Sequence, residues 1–315
     1  MRMFGLHLIL DFKNCDMMNN KSISNKSEQN LNGWINGFIA VLFFSGSMPA
    51  TKAAVMDMSP LFVTVTRAGG AGLLALCALL LFKEKRPQKA QLGSLVIVAM
   101  GAVIGFPLLS ALALQYITSA HSLVFMGMLP LATAVFGMIR GGERPHPMFW
   151  LFAILGSLLV VGYAISQNVS ASPVGDLLML LAIIVCGLGY AEGAKLSKEL
   201  GGWQVISWAL VLSMPLTIPL MIFLRPASFA NIGSGAWIGL AYVSVFSMLI
   251  GFVFWYRGLA QGGIAAVGQL QLLQPFFGLA LAAGLLHEQV SMGMVGITVC
   301  VILCVAGSRK LAVQR

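Results

Sequence analysis

Residues 92–139 form a stretch of 48 residues that contains no Asp, Glu, Lys or Arg. A soluble domain could not present such a stretch to water. As a single helix it would extend for about 70 Å, more than twice the hydrocarbon thickness of a bilayer. We therefore predict two membrane-crossing helices here, joined by a tight turn near residues 116–119.

The rest of the chain has the same character. Of its 315 residues, 58% are hydrophobic and 9% are charged, whereas a soluble domain has roughly 25% charged residues. The net charge of +9 comes from basic residues that lie in the gaps between apolar runs. We interpret them as loop charges that orient helices in a membrane, and not as a nucleic-acid site.

A crossing needs about 20 mostly apolar residues, and this requirement predicts ten spans along the chain. Numbered 1 to 10, the spans cover residues 33–53, 60–82, 92–116, 119–139, 148–166, 176–197, 203–224, 235–257, 264–286 and 291–308. The predicted fold is an all-α polytopic membrane protein. Residues 1–32, rich in Asn, Ser and Lys, are predicted to be a disordered tail, and residues 309–315 a short basic C-terminus.

The basic residues also predict the orientation. Of the 19 Lys and Arg residues, 16 lie on the side of the two termini, Lys52 and Arg225 lie on the other side, and Arg67 lies within span 2. Basic residues concentrate in cytoplasmic loops. We therefore predict cytoplasmic termini, in the inner (plasma) membrane of a bacterium.

The two halves of the chain share spaced residues that indicate an internal repeat. Pro130 and Pro275 each stand 13 residues before a Glu, and Gly162 and Gly307 each stand 19 residues after that Glu. Further pairs are Gly46 with Gly189 and Lys52 with Lys195. The repeats would cover residues 33–166 and 176–308. Five spans per half is an odd number, so the second half should enter the membrane inverted, as in many secondary transporters.

On these features the chain resembles the EamA-like branch of the drug/metabolite transporter superfamily, which is built from two tandem five-helix repeats. The resemblance covers about residues 33–308 and rests on the Pro-to-Glu spacing, the short hairpin between spans 3 and 4, and the Arg in span 2. It implies a secondary transporter with a central cavity lined mainly by spans 1, 3, 4, 6, 8 and 9. Its members carry diverse small metabolites, and we expect an exporter of amino acids or related compounds. Protons as the coupling ion and a homodimeric assembly are open expectations.

Two charged side chains within the spans are candidate functional residues. Arg67 lies about 10 Å into span 2, where an unpaired charge is costly. It would bind a substrate carboxylate, or else snorkel outward or hold helix-end carbonyls. Glu192 would be a protonatable coupling group, or else part of an interfacial ladder with Lys195 and Glu199.

Polar and aromatic residues complete the candidate substrate site. His121, close to Tyr116, suits proton linkage or substrate binding, the alternative being a His that only satisfies a neighbour. Gln271 and Gln274 share one face of span 9 and either line a cavity or bond between helices. Tyr190 lies in a Gly-rich stretch of span 6 where a cavity would open.

Other conspicuous residues receive a structural interpretation. Glu143 and Glu288 precede spans 5 and 10, where the N-terminus of a helix favours a carboxylate. Trp255 and Tyr256, with Arg257, end span 8 and are typical of an aromatic belt at the membrane surface.

The sequence predicts no cofactor and no metal. Its five Cys show no CxxC spacing and no cluster with His, and no ATP-binding motif is present. A membrane-embedded lipid-modifying enzyme is an alternative, but it would need paired carboxylates or a nucleophile–base pair within the bilayer, and Glu192 is the only acidic residue well within a span. A non-transporting channel or scaffold is a third class, and the leading prediction is a transporter of a small-molecule substrate.

Overall fold

A computed structural model describes residues 28–117, 122, 125–166, 172–278, 280 and 292–311. Within these residues the chain forms ten helices and no strand. The helices are α1 (Glu28–Asp57), α2 (Pro60–Leu81), α3 (Lys89–Ala113), α4 (Leu129–Gly141), α5 (Pro147–Ser166), α6 (Pro173–Leu200), α7 (Gly202–Phe223), α8 (Ser234–Gly262), α9 (Ile264–Gly268, then Gln269–Leu273 and on to 278) and α10 (Met292–Leu311). Six of the described helices are long and apolar enough to cross a membrane. The prediction of an all-α polytopic membrane protein is confirmed.

Local sequence explains several helix ends. The Ser59 hydroxyl accepts a hydrogen bond from the backbone N–H of Phe62 (3.2 Å), and Pro60 occupies the first position of α2, as expected at a helix N-terminus. Gly201 and Gly263 have φ of +95° and +92°, a region that glycine adopts readily. Each of them joins two helices through a single residue, so α6 is followed at once by α7, and α8 by α9.

Some helices extend further than the predicted spans. α1 begins at Glu28, so residues 28–32 are helical although they were assigned to the disordered tail, and residues 1–27 lie outside the described part. α8 ends at Gly262, five residues beyond the predicted end of span 8. Hydropathy marks only the portion of a helix inside the hydrocarbon, whereas backbone hydrogen bonding continues into the polar boundary.

Contacts between helix ends define two ends of the bundle. The Asn36 amide in α1 donates to the Gln261 amide oxygen at the end of α8 (2.9 Å). The Asp57 carboxylate at the other end of α1 accepts from the backbone N–H of Gly233, just before α8 (2.9 Å). α1 and α8 are therefore antiparallel. We call the end with Asn36 the basic end, because it carries the loops rich in Lys and Arg, and the end with Asp57 the opposite end.

The second half runs in the reverse direction. Lys52 Nζ donates to the carbonyl oxygen of Leu114 (2.6 Å), which places the end of α3 at the opposite end of the bundle. Gly175, near the start of α6, packs against Ile117 in the turn after α3. α1 thus runs from the basic end to the opposite end, and α6, the first helix of the second half, runs from the opposite end to the basic end. The predicted inversion of the two repeats is confirmed.

Packing between the halves follows the same symmetry. α2 packs on α7 and α5 packs on α10, and in each pair the two helices hold the same place in their halves. α1 packs on α8, and its counterpart α6 packs on α3. If the first and second halves are exchanged, the contact of α1 with α8 becomes the contact of α6 with α3, and the α2–α7 and α5–α10 contacts remain the same.

Two helices contain a π-helical segment at corresponding positions. The segments are Ala99–Gly105 in α3 and Val243–Gly251 in α8. Both end in a glycine that is followed directly by a phenylalanine, Phe106 or Phe252. Short π segments within α-helices are rare and occur often at functional sites.

Candidate functional site

A narrow cavity lies between the two halves in the middle of the bundle. Its volume is about 20 Å³, which is room for about one water molecule. The lining comes from α1, α2, α3, α6, α8, α9 and the segment before α4. The lining residues are Phe44, Ser47, Met48, Arg67, Phe106, Met126, Tyr190, Ser247, Phe252 and Gln274.

Arg67 places a guanidinium at this cavity. Its side chain is only 4% exposed. Nη2 donates to the Ser247 hydroxyl (3.0 Å), which in turn is 2.7 Å from the Ser47 hydroxyl. Nε has no hydrogen-bond partner, and no carboxylate in the described residues forms an ion pair with the guanidinium. The side chain does not snorkel outward, because it is almost completely buried, and the donor at Nε is buried without a partner.

One residue of the predicted polar face of α9, Gln274, lines the same cavity. It directly follows a 3₁₀ helix, Gln269–Leu273, which contains Gln271. Gln274 Nε2 donates to the Phe44 carbonyl oxygen (3.2 Å), but its Oε1 has no partner. Gln271 lies near Tyr190, yet neither amide atom makes a hydrogen bond of good geometry. Buried amides without partners are unusual in a packed helix interface.

Aromatic rings form one wall of the cavity. The Tyr190 ring centroid lies 5.8 Å from that of Phe252 and 5.4 Å from that of Trp255. Phe44 lies 5.2 Å from Phe252 and 5.9 Å from Trp255. These separations are typical of interacting aromatic pairs. Tyr190 lines the cavity, whereas Gly187 and Gly189 beside it pack closely on Ala132 and Ala102. Its role in substrate binding stays a prediction.

The aromatic-belt interpretation of Trp255 and Tyr256 is wrong. Both side chains are fully buried, and the Tyr256 hydroxyl donates to the Gly189 carbonyl oxygen in α6 (3.2 Å). The two residues lie inside the bundle because α8 continues for more than a turn beyond them, to Gly262.

Glu192 lies at the basic end and not at the cavity. Its carboxylate is completely buried and accepts from Arg140 Nε in α4 (2.7 Å) and from the Ser94 hydroxyl in α3 (2.6 Å). The predicted ladder with Lys195 is therefore not its main contact. The ion pair joins a helix of the second half to two helices of the first, which is a structural link between the halves.

Glu143 caps a helix, but a different one from the helix that the sequence indicates. Its two carboxylate oxygens accept from the backbone N–H groups of Ile264 and Ala265 (2.6 and 2.7 Å), at the N-terminus of α9 and not of α5. Burial raises the pKa of Glu143, and the two backbone hydrogen bonds and nearby Lys198 offset part of this shift. Glu288 lies outside the described residues.

The remaining candidates are not brought to the cavity. Tyr116 is 56% exposed in the turn after α3, at the opposite end, and its Cβ approaches Gly175. His121 lies outside the described residues. Among the described residues, no three His, Cys, Asp or Glu side chains are grouped as ligands for a metal ion.

Several lining residues were missed by the sequence analysis. Ser47 and Ser247 are each one of several hydroxyl residues in an apolar helix, and Phe44, Phe106 and Phe252 are indistinguishable in sequence from lipid-facing phenylalanines. One signal did exist, the Gly-Phe pairs at 105–106 and 251–252, which recur at the repeat spacing.

Comparisons with known proteins agree with this architecture. The model of the EamA-like transporter family matches residues 31–164 and again residues 173–309. The "Uncharacterized transporter YdeK" of Bacillus subtilis (strain 168) is 66% identical over 281 residues, which are 89% of this chain and 98% of that protein. The "Uncharacterized transporter sll0355" of Synechocystis sp. is 23% identical and covers 85% of this chain and 87% of its own length.

A solved structure gives the same result for the fold alone. One crystal structure superimposes with a TM-score of 0.71 at 18% identity, and it covers 91% of this chain and 98% of its own. Both inverted halves thus match one family model, and a close relative is named as a transporter over nearly its whole length. The chain belongs to the EamA-like transporter family and is an integral, multi-pass membrane protein.

Proposed function

We propose that the protein is a secondary transporter that exports small metabolites bearing a carboxylate and a hydrogen-bond donor, such as amino acids, by alternating access. The observation that carries the proposal is the Arg67 guanidinium, buried in the central cavity with a free donor at Nε. A buried charge without a counter-ion is costly. A substrate carboxylate would supply that counter-ion.

A second free group favours amino acids over simple acids. Gln274 lines the same cavity as Arg67, and its buried Oε1 has no donor. A solute with an ammonium or hydroxyl group close to its carboxylate would satisfy both residues at once. The aromatic wall around Phe252 would contact the remaining, less polar part of such a solute.

The orientation and the coupling belong to the same proposal. We place the basic end in the cytoplasm of a bacterium, in the plasma membrane, because Lys and Arg concentrate on cytoplasmic loops. Labelling of single cysteines at residues 144 and 225 from each side tests this placement. Proton coupling and a homodimer stay predictions. A pH-sensitive dye inside the vesicles tests proton coupling, and cross-linking in native membranes tests the homodimer.

Counterflow in proteoliposomes tests the substrate class. Vesicles are loaded with an unlabelled amino acid, with its analogue lacking the amine, or with its analogue lacking the carboxylate, and the entry of trace labelled amino acid is followed. We expect saturable counterflow with the complete amino acid, a weaker response to the simple acid, and none with the amine. Equal counterflow with the amine would contradict the assignment of Arg67.

A matched pair of variants tests the residue itself. Arg67→Gln should raise the half-saturating concentration by about 10- to 100-fold, since a hydrogen bond to a charged group contributes roughly 1.5–3 kcal/mol. Arg225→Gln makes the same change at an exposed site at the opposite end and should have no effect. Unchanged half-saturation in well-folded Arg67→Gln would refute the carboxylate site.

A further inference from the structure

The two π-helical segments place one phenylalanine from each half at the cavity. Phe106 follows the segment in α3, Phe252 follows the segment in α8, and both line the same space beside Arg67. The Arg67 partner Ser247 also lies within the segment of α8. The site is therefore built on two corresponding irregularities of the helices.

The glycine at the end of each segment has no room for a side chain. A β-carbon on Gly105 would collide with the carbonyl oxygen of Met100, five residues earlier. One on Gly251 would lie 2.7 Å from the Phe44 ring and 2.9 Å from the carbonyl oxygen of Phe246, also five residues earlier. Gly93, which lies in the regular part of α3, has no neighbour within 4 Å of such a carbon. The collision with the fifth preceding carbonyl thus occurs at the last position of each π segment and not at Gly93 in the regular part of α3.

We infer that Gly105 and Gly251 are positioning residues, which hold Phe106 and Phe252 in the transport site by keeping these turns π-helical. A π turn accommodates more residues than an α turn. Each residue of an α-helix turns the chain by about 100°. If the segment became α-helical, the phenylalanine after it would rotate by roughly that angle away from the cavity.

Alanine substitution should drive that conversion. Alanine is the best α-helix former, and glycine is one of the poorest. In addition, the new methyl group cannot coexist with the fifth preceding carbonyl oxygen. Both effects favour the α-helical form, so Gly105→Ala acts on Phe106 without touching its side chain. The inference rests on the proposed function, because it assumes that the cavity is the transport site.

Counterflow kinetics test the role of the glycines. Gly105→Ala and Gly251→Ala should each raise the half-saturating concentration by about five- to tenfold, the value expected for loss of one aromatic contact. The controls Gly93→Ala and Gly235→Ala lie on the same two helices with open space around them, and they should stay within about twofold of wild type. Wild-type half-saturation in Gly105→Ala would overturn the inference.

A deletion separates positioning from simple destabilisation. Met100 lies in the segment of α3 and is 55% exposed. Its deletion from Gly105→Ala removes one residue from an α-helical segment and turns Phe106 back toward the cavity. Half-saturation should return to within about twofold of wild type. A protein that was merely destabilised would be weakened further by the deletion, and failure of this rescue would overturn the inference.

Hydrogen exchange tests the conformational part independently of transport. Backbone amides of residues 100–106 should exchange severalfold more slowly in Gly105→Ala than in wild type, because regular α-helical bonds replace the π turn. Gly93→Ala should leave their exchange unchanged. Equal exchange in Gly105→Ala and wild type would overturn the inference. If the wild type transports no solute at all, the proposed function is wrong. The comparison of hydrogen exchange between Gly105→Ala and wild type still tests whether the glycine keeps the turn π-helical.

Discussion

Replacing Arg140 by Gln should destabilise the folded protein by about 2 kcal/mol. The substitution removes the cation from the Glu192 carboxylate, which is completely buried, and leaves it with the Ser94 hydroxyl alone. Breaking a buried ion pair costs about 3–5 kcal/mol, and an exposed pair contributes about 0–1 kcal/mol. The Arg140 side chain is 39% exposed, so in the variant water can partly solvate the Glu192 carboxylate. The expected loss of stability therefore lies between these two limits.

Thermal unfolding in detergent measures this change. For a domain of 150–250 residues, 1 kcal/mol corresponds to about 2–4 °C in Tm, so Arg140→Gln should lower Tm by about 4–8 °C. Arg144→Gln removes an exposed charge from the same end of the bundle and should change Tm by less than about 2 °C.

A double-mutant cycle with Glu192→Gln isolates the pair. The coupling energy between Arg140→Gln and Glu192→Gln should be about 1–2 kcal/mol, because each variant removes the same interaction. Coupling below about 0.3 kcal/mol would show that the ion pair is screened and would refute the reasoning. Loss of counterflow with unchanged stability would instead favour the coupling role that the sequence suggests for Glu192.

Two further substitutions test other helix contacts, one between the halves and one within the second half. Glu143→Gln should lower stability by about 0.5–2 kcal/mol, because an amide can accept from only one of the two N–H groups at the start of α9. Burial raises the pKa of Glu143 above its ordinary value of 4.5. Above pH 4.5 the unfolded chain has therefore released this proton while the folded protein still holds it, so the stability of the wild type should fall, relative to Glu143→Gln, as the pH rises. Gly193→Ala should cost about 1–3 kcal/mol, because its methyl group would collide with the Tyr256 ring. Gly70→Ala, with open space around it, should cost nothing measurable in chemical unfolding.

The sequence predicts the topology because the bilayer makes charge placement expensive. Sixteen basic residues on one side and two on the other are compatible only with an even number of spans when both termini share a side. The contacts Asn36–Gln261 and Asp57–Gly233 then place the helix ends as this argument requires. Arg67 could be singled out for the same reason, as a costly charge within a span.

The partners of charged and aromatic residues could not be predicted in this way. Glu192 has Lys195 within one turn, but it bonds to Arg140, which is 52 residues away in sequence. That choice depends on the packing of α4 against α6, which no local pattern encodes. Trp255 was misplaced because hydropathy locates the hydrocarbon boundary and not the end of α8.

The two halves are alike in their mechanics and different in their chemistry. Both contain a π segment that ends in Gly-Phe, and their helix pairs interchange when the halves are exchanged. The spacing that relates Gly46 to Gly189 and Lys52 to Lys195 places Leu210, apolar and fully buried, at the position in α7 that corresponds to Arg67. On the proposed function, a cavity with this one guanidinium would hold an asymmetric solute in a fixed orientation, with its carboxylate toward α2. Opening to either side would then require the halves to move around this solute while it keeps that orientation.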